Sequence, residues 1–275
     1  MIIEIITSKN NPTVKWASSL KDKKGRDASA SFIAEGEKLS FEALNFGLKV
    51  SHIFVVEKKQ EEILSKLSPF WNNEAYSDTK VCVLSEQAFE KISTENAPQG
   101  IITIIKYLDI FHKLDIIYKE EFLKNADETV VFLDSVRDPS NLGAIIRSAL
   151  AFGVGHIVLS SDCTDAYNPK CVRASMGGVF KIKLSYVKDS VGTVFEMRKA
   201  GRRVLSAELS SEALTLGEAC LEKRDIIVIG NEGHGVSSAV GSACDGSVYI
   251  PISSATESLN ASVAAAILMW EQNKG

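Results

Sequence analysis

Three loop-rich blocks, each placed directly after a run of apolar residues, constrain this chain more than any other feature. Asp134-Ser-Val-Arg-Asp-Pro-Ser-Asn-Leu-Gly143 follows Thr129-Val-Val-Phe-Leu133 and leads to Arg147. Gly230-Asn-Glu-Gly-His-Gly235 follows a second apolar run, and Ile250-Pro251, with Glu257-Ser-Leu-Asn260 close behind, follows a third. Short apolar runs bounded by turn residues read as buried strands. In an open α/β sheet, ligands bind beyond the carboxyl ends of the strands. Three such ends, far apart in sequence, predict one site that the fold assembles.

The elements around these blocks alternate. After the strand at 129–133, the spacing of Leu142, Ile145, Ile146, Ala149 and Phe152 predicts a helix from about Asn141 to Phe152, capped by Asp138, Ser140 or Asn141. Arg147 lies away from its apolar stripe. Further strands are expected at His156–Leu159, Lys181–Leu184, Arg203–Ala207, Asp225–Ile229 and Val248–Ile250, with helices at Val191–Ala200 and Leu259–Trp270. This βαβ order predicts a mostly parallel sheet covered on both faces. The last helix is apolar nearly all round, which predicts burial on most sides. Its polar start, Glu257, Ser258 and Asn260, should then face the protein interior or a cleft; Ser258 also reads as a helix cap.

The first ~105 residues read as a smaller α/β unit. Helices are expected at Val14–Leu20 and Gly36–Phe46, and strands at Phe32–Ala34, Ile53–Val56, Val81–Leu84 and Ile101–Ile105. Alternation fades over 107–127, where Lys119-Glu-Glu121 and Asn125-Ala-Asp-Glu128 are polar. The expected division is therefore a domain over 1–106, a linker over 107–127 and a second domain over 128–275.

Net charge bounds the partners. At −4, global electrostatics will not draw in nucleic acid, so any such partner needs a local basic patch. Lys21, Lys23, Lys24 and Arg26 form the best candidate, and read equally as a solvated loop. The five cysteines are dispersed, with no Cys-x-x-Cys, which argues for reduced thiols and against structural zinc; no metal site is expected. The amino terminus lacks a basic n-region, and no stretch reaches ~18 uninterrupted apolar residues, so a cytoplasmic protein is expected.

Several cofactor chemistries are disfavoured. A dinucleotide fingerprint requires Gly-x-Gly-x-x-Gly directly after the first strand of its unit, and that strand is followed here by Asp134-Ser-Val-Arg-Asp-Pro139. There is no P-loop and no Gly-x-Ser-x-Gly elbow. The glycines of 230–235 permit close backbone approach to a ligand. His234 among them reads more simply as an exposed side chain than as a base.

The blocks at Asp134–Phe152, Gly230–Gly235 and Ile250–Ala266, in this order, resemble the three motifs of the SpoU (TrmH-like) family of RNA ribose methyltransferases within the SPOUT superfamily. The resemblance covers about residues 129–273. More loosely, Phe32-Ile-Ala-Glu-Gly-Glu-Lys38, Glu42-Ala-Leu44 and Pro98-Gln-Gly100 are similar to that family's L30e/L7Ae-like RNA-binding domain.

The resemblance implies an α/β fold with a carboxyl-terminal trefoil knot, through which the last segment is threaded, and a homodimer. It implies S-adenosylmethionine bound in a bent shape, held by Gly230, Asn231, Ile250, Ile252 and Leu259 with Ser206 and Ala207 nearby. It implies methyl transfer to a ribose 2′-hydroxyl, with Arg147, Asn141, Glu232, Ser258 and Asn260 matching the family's catalytic positions. Ribosomal RNA is the expected substrate and tRNA the second. A non-catalytic RNA-binding protein on the same fold is an alternative, as is a small-molecule nucleotide enzyme on a Rossmann-like sheet. The matched arginine reads either as the base for the hydroxyl or as a donor to a phosphate or developing alkoxide, the role that suits a guanidinium that ordinarily stays charged. One departure stands out. Ser253-Ser-Ala-Thr256 occupies a turn where the family has glycine, so turn geometry or cofactor affinity is expected to differ.

Overall fold

The computed structural model describes residues 1–109, 111–124, 127–210, 213–218, 220–231, 233–256 and 258–274. The chain divides into two compact units, residues 1–108 with 165–180, and residues 109–164 with 181–275.

The first unit holds β1 (Ile2–Ile6), α1 (Pro12–Ser19), α2 (Lys23–Ser29), β2 (Ser31–Glu35), α3 (Glu37–Asn45), β3 (Val50–Val56), α4 (Gln60–Leu67), β4 (Lys80–Leu84), α5 (Glu86–Ile92) and β5 (Ile101–Lys106). Its five strands form a mixed sheet in the order β1-β4-β3-β5-β2. Strand alternation sends Phe54, Val56, Cys82, Leu84, Ile102 and Ile104 into one core with Val14 and Ala17 of α1 and Ala88, Phe89 and Ile92 of α5.

In the second unit come β6 (Phe111–Leu114), α6 (Lys119–Lys124), β7 (Thr129–Leu133), α7 (Pro139–Ala151) and β8 (Val154–Ser160). The chain then contributes α8 (Pro169–Ala174) to the first unit. It returns as β9 (Lys183–Val187), α9 (Ser190–Lys199), β10 (Val204–Ala207), β11 (Leu214–Thr215), β12 (Ile226–Ile229), α10 (Ser238–Ala243), β13 (Gly246–Tyr249) and α11 (Ala261–Asn273). The sheet order is β11-β13-β10-β12-β7-β8-β9-β6, and its ladders are parallel. Val130, Phe132, Val158, Ile226 and Val228 pack with α9 and α10 residues Val194, Met197 and Val240. Their alternates Val131, Leu133, Ile157 and Ile227 are also buried, on the face that α7 and α11 cover.

This is the expected fold class. The segment expected as a linker carries β6 and α6, and β6 pairs with β9 at the sheet edge; its Asn125 and Ala126 lie outside the described residues. Residues 165–180 join the first unit through specific contacts. The Tyr107 and Tyr167 rings stack with centroids 4.2 Å apart, and Tyr167 Oη accepts from Leu108 N at 2.7 Å. No helix among the described residues is long and apolar enough to cross a membrane.

The basic cluster departs from expectation. Arg26 is only 2% exposed. It donates to Asp165 from Nε at 3.0 Å and Nη2 at 2.7 Å, and from Nη1 to the carbonyls of Leu20 and Lys21. A guanidinium so engaged is part of the core and not of an RNA-facing patch. Lys23 and Lys24 are exposed. Lys21 is half-buried, and desolvation lowers its pKa against the pull of Glu35 and Asp22. The last helix also differs. Ala261, Ala265, Leu268 and Met269 are buried, while Val263 and Trp270 are 46% and 52% exposed within the single chain.

Candidate active site

Strand order reverses at β7. The chain runs outward through β8 and β9 on one side, then returns to place β12, β10 and β13 on the other. A crevice beyond the carboxyl ends at such a switch point is the expected ligand site. The three sequence blocks are the loops that leave β7, β12 and β13.

Side-chain and backbone bonds tie these loops together. Asp134 N donates to the carbonyl of Ile229 at 2.8 Å, and its buried carboxylate accepts from Ser237 N at 2.8 Å. Asn231 Nδ2 donates to the carbonyl of Ser135 at 2.9 Å, which joins the second block to the first. Asn260 Nδ2 donates to Asn141 Oδ1 at 3.0 Å, which joins the third block to the first. Asn260 also caps α11, its Oδ1 accepting from Ser262 N at 2.9 Å, so the cap is Asn260 and not Ser258. Asp138 caps α7, accepting from the N–H groups of Ser140 and Asn141.

The loops after β10, β12 and β13 line a cavity of about 650 Å³, and the β7 loop is tied to them without lining it. Of the candidate cofactor residues, Ala207, Gly230, Asn231, Ile250, Ile252 and Leu259 line it, and so does Ser258 of the candidate catalytic set. Glu208, Leu209, Tyr249, Ala264 and Leu268 line it too and were not foreseen. Glu208 and Leu209 directly follow β10, so the signal that marked Ala207 extends to them. Ser206 is placed elsewhere. Successive residues of a strand face opposite sides, and the buried Ser206 hydroxyl donates to Glu208 Oε1 at 2.6 Å, in a separate cavity with Arg203 and Asp245.

Arg147 is exposed on α7, outside the cavity lining, and its guanidinium makes no hydrogen bond or ion pair among the described residues. Glu232 and Glu257 lie outside the described residues. The glycine-free turn at 253–256 is built without left-handed backbone. None of these four residues has a positive φ, Thr256 N donates to the Ser253 carbonyl, and Ala255 N donates to Ser253 Oγ.

The cavity suits a mid-sized organic cofactor, whose pockets span roughly 300–1,000 Å³. Among the described residues the N–H groups of Ile252 and Leu259 make no hydrogen bond, so both are available to a ligand's acceptors. Cys82, Cys163 and Cys244 are poorly suited as thiol nucleophiles, because burial pushes Cys163 and Cys82 up to about 11 and Cys244 up to about 12.

Relatives share this architecture. A family model described as the SpoU rRNA Methylase family matches residues 128–270, and one described as the MRM3-like substrate binding domain matches residues 11–103. The chain is 32% identical over 265 residues to the 23S rRNA (guanosine(2553)-2′-O)-methyltransferase RlmP of Bacillus subtilis, covering 96% of this chain and 97% of that one. It is 28% identical over 225 residues to the 23S rRNA (guanosine-2′-O-)-methyltransferase RlmB of Acinetobacter baylyi, covering 81% and 88%. The crystal structure of an AdoMet-bound rRNA methyltransferase from Sinorhizobium meliloti superposes with a TM-score of 0.79 at 28% identity, over 98% of this chain and 97% of that one. A match over more than half the chain, with all three motif loops gathered at one switch point, makes this protein a member of the SpoU rRNA methylase family.

Proposed function

We propose that this chain methylates a ribose 2′-hydroxyl of ribosomal RNA, with S-adenosylmethionine as the methyl donor. The observation that carries the reading is the single cavity at the switch point, lined by the loops after β10, β12 and β13, with the β7 loop tied to it through Asn231 and Asn260. Full-length similarity to named rRNA 2′-O-methyltransferases gives the substrate class.

The donor supplies a methyl group already activated on a sulfonium. The chain's own task is to hold it, exclude water and orient the acceptor. Gly230, Asn231, Ile250, Ile252 and Leu259 would hold it largely through backbone groups, and Ala264 and Leu268 close the apolar side. Alignment of the two reactants alone is worth up to ~7–11 kcal/mol in well-oriented systems. Arg147 has its guanidinium available, and we assign it to the RNA, as a forked donor to a phosphate or to oxygen charge developing at the 2′ position. Asn141 and Asn260 fix the two loops that flank that approach. Ser258 and Glu232 complete the proposed polar set.

Three further assignments accompany this one. Residues 1–106 serve RNA binding, with Lys23 and Lys24 as the accessible cations of the basic cluster. The segment after β13 threads as the family's trefoil knot, a reading supported by β13 lying beside β10 while the following helix packs on α7. The chain works as a homodimer through the second apolar stripe of α11, Val263, Ile267 and Trp270 at i, i+4 and i+7. Sedimentation of the protein against Trp270→Glu tests the last point; a wild-type monomer overturns it.

Incubation with labelled cofactor and separated rRNA and tRNA, followed by alkaline hydrolysis, tests the central reading. Label in alkali-resistant dinucleotides from rRNA is expected. Label only in tRNA corrects the substrate, and no transfer by cofactor-bound protein overturns catalysis.

A further inference from the structure

The turn that opens the first block is held in an uncommon conformation by a carboxylate from another strand end. Ser135 has φ 60°, in the left-handed region. A β-carbon makes that region unfavourable, whereas glycine enters it freely. Ser135 is held there at every polar atom. Its N–H donates to Ser160 Oγ at 2.8 Å, its hydroxyl donates to Asp162 Oδ2, and its carbonyl accepts from Asn231 Nδ2 at 2.9 Å.

Asp162 gathers the turn. Its Oδ1 accepts from Ser160 Oγ at 2.7 Å, so it orients the very hydroxyl that takes the Ser135 N–H. Its Oδ2 accepts from Arg137 Nη2 at 3.1 Å as well as from Ser135. Burial works to raise the pKa of this carboxyl, but the bonds from Ser135, Ser160 and Arg137 outweigh it and leave the net value below the ordinary range. The acceptor is therefore charged at neutral pH.

We propose that Asp162 is a positioning residue for methyl transfer: by holding Ser135 left-handed, it aims the carbonyl that anchors Asn231 and so shapes the cofactor loop after β12. Asp162 itself lines no part of the cavity. The coupling runs through one side chain, because Asn231 both lines the cavity and closes the 231–235 loop, exchanging backbone hydrogen bonds with Gly235 at 2.9 Å each way. The inference rests on this cavity being the S-adenosylmethionine site.

A rescue experiment separates positioning from general stability. Asp162→Ala leaves Ser135 without its main restraint in the left-handed region. Its dissociation constant for S-adenosylmethionine should rise about tenfold (~1.4 kcal/mol), the scale of the preference against that region for a residue with a β-carbon. Adding Ser135→Gly should bring the constant back to within about threefold of wild type, since glycine enters the conformation without the penalty a β-carbon carries. Arg137→Ala, which removes the charged partner of Asp162 and leaves Ser135 and Ser160 bonded to it, should leave cofactor affinity unchanged. Calorimetric titration reads the affinities, and amide hydrogen exchange across 230–236 reads the loop without ligand. Exchange should speed up in Asp162→Ala and slow again in the double variant. An Asp162→Ala protein with wild-type affinity and exchange overturns the proposal, as does a defect that Ser135→Gly leaves uncorrected or that Arg137→Ala reproduces. If wild type binds no S-adenosylmethionine, the cofactor reading fails, and the exchange arm still decides the role of Asp162.

Discussion

Gly230→Ala should damage the site more than any other alanine substitution in its loop. A β-carbon built on Gly230 would stand 2.0 Å from the carbonyl carbon of Gly235, 2.1 Å from Val236 N and 2.2 Å from the Gly235 oxygen. Non-bonded carbons come no closer than about 3.5 Å without cost, so the two arms of the loop must part by roughly 1.5 Å. The obstacle is backbone, and no side-chain rotation relieves it. Parting the arms breaks the paired Asn231–Gly235 bonds, each worth about 1 kcal/mol net, and overpacking adds about 1–3 kcal/mol. A loss of about 3–5 kcal/mol would lower the melting temperature by roughly 6–20 °C for a unit of this size. Any retained fold should bind S-adenosylmethionine at least about tenfold more weakly, since Gly230, Asn231, Gly233 and Gly235 of this loop line the cavity. Two neighbours serve as controls. A β-carbon on Gly233 meets only Asn231 Oδ1, at 3.5 Å, and should be tolerated. Gly235 has open space but φ +69°, so its alanine should cost about 1–2 kcal/mol. Differential scanning calorimetry and calorimetric titration of the three variants give the ranking. Wild-type melting and affinity in Gly230→Ala, or greater damage in Gly233→Ala, would refute the steric reasoning.

Arg147→Ala should lower the methyl-transfer rate by about 10²–10³-fold while cofactor affinity stays within twofold, because Arg147 lines no part of the cavity; single-turnover transfer and titration measure the two. Arg147→Lys should also fail if the forked geometry matters, and near-wild-type turnover in either variant removes Arg147 from the chemistry. Arg26→Ala strands the Asp165 carboxylate and two carbonyls, and should destabilise the first unit by about 3–5 kcal/mol, read as a lower denaturation midpoint; a shift of under about 1 kcal/mol would class the pair with surface bridges. Burial, with help from Lys80 and Lys106, pulls His52 down to about 4, below the ~6.5 of an unfolded histidine. Folding thus favours the neutral ring, its contribution is complete above pH ~6.5, and it is lost as pH falls toward 4. Wild type should lose melting temperature over that window faster than His52→Gln, and parallel curves would contradict the assignment.

What the sequence reveals is what repeats locally. Short continuous apolar runs mark β7 and β12, which are buried along their whole length, and the spacing of Leu142, Ile145 and Ala149 marks α7. What it hides depends on partners distant along the chain. Arg26 reads as a surface cation because its acid lies 139 positions away. β6 has four residues and no strand pattern of its own; it exists because Lys113 and Leu114 align with Tyr186 and Val187. Residues 165–180 look like part of the second domain until Tyr167 meets Tyr107. At the site, an apolar run shows that β10 is a strand but not which residue faces the ligand, so Ser206 and Ala207 are indistinguishable before the register is known. The left-handed Ser135 carries no sequence signal at all, since Asp-Ser-Val suits an ordinary turn.

The same distinction explains how the cofactor loops accommodate an atypical turn. A pocket lined by backbone depends on where the chain runs and little on which side chains it carries, unless a β-carbon has nowhere to go. Gly230 is such a place, because the facing atoms belong to the main chain. The turn at 253–256 is not, because its φ values are all negative and its bonds run from Ala255 and Thr256 back to Ser253. Glycine would widen the conformations open to the unfolded turn without relieving any strain in the folded one. The Ser253 hydroxyl supplies the turn's own acceptor, for Ala255 N. The turn is thus preorganised by a side chain where glycine would have made it permissive, and the Ile250–Ile252 wall of the cavity is held from one end by β13 and from the other by this bonded turn.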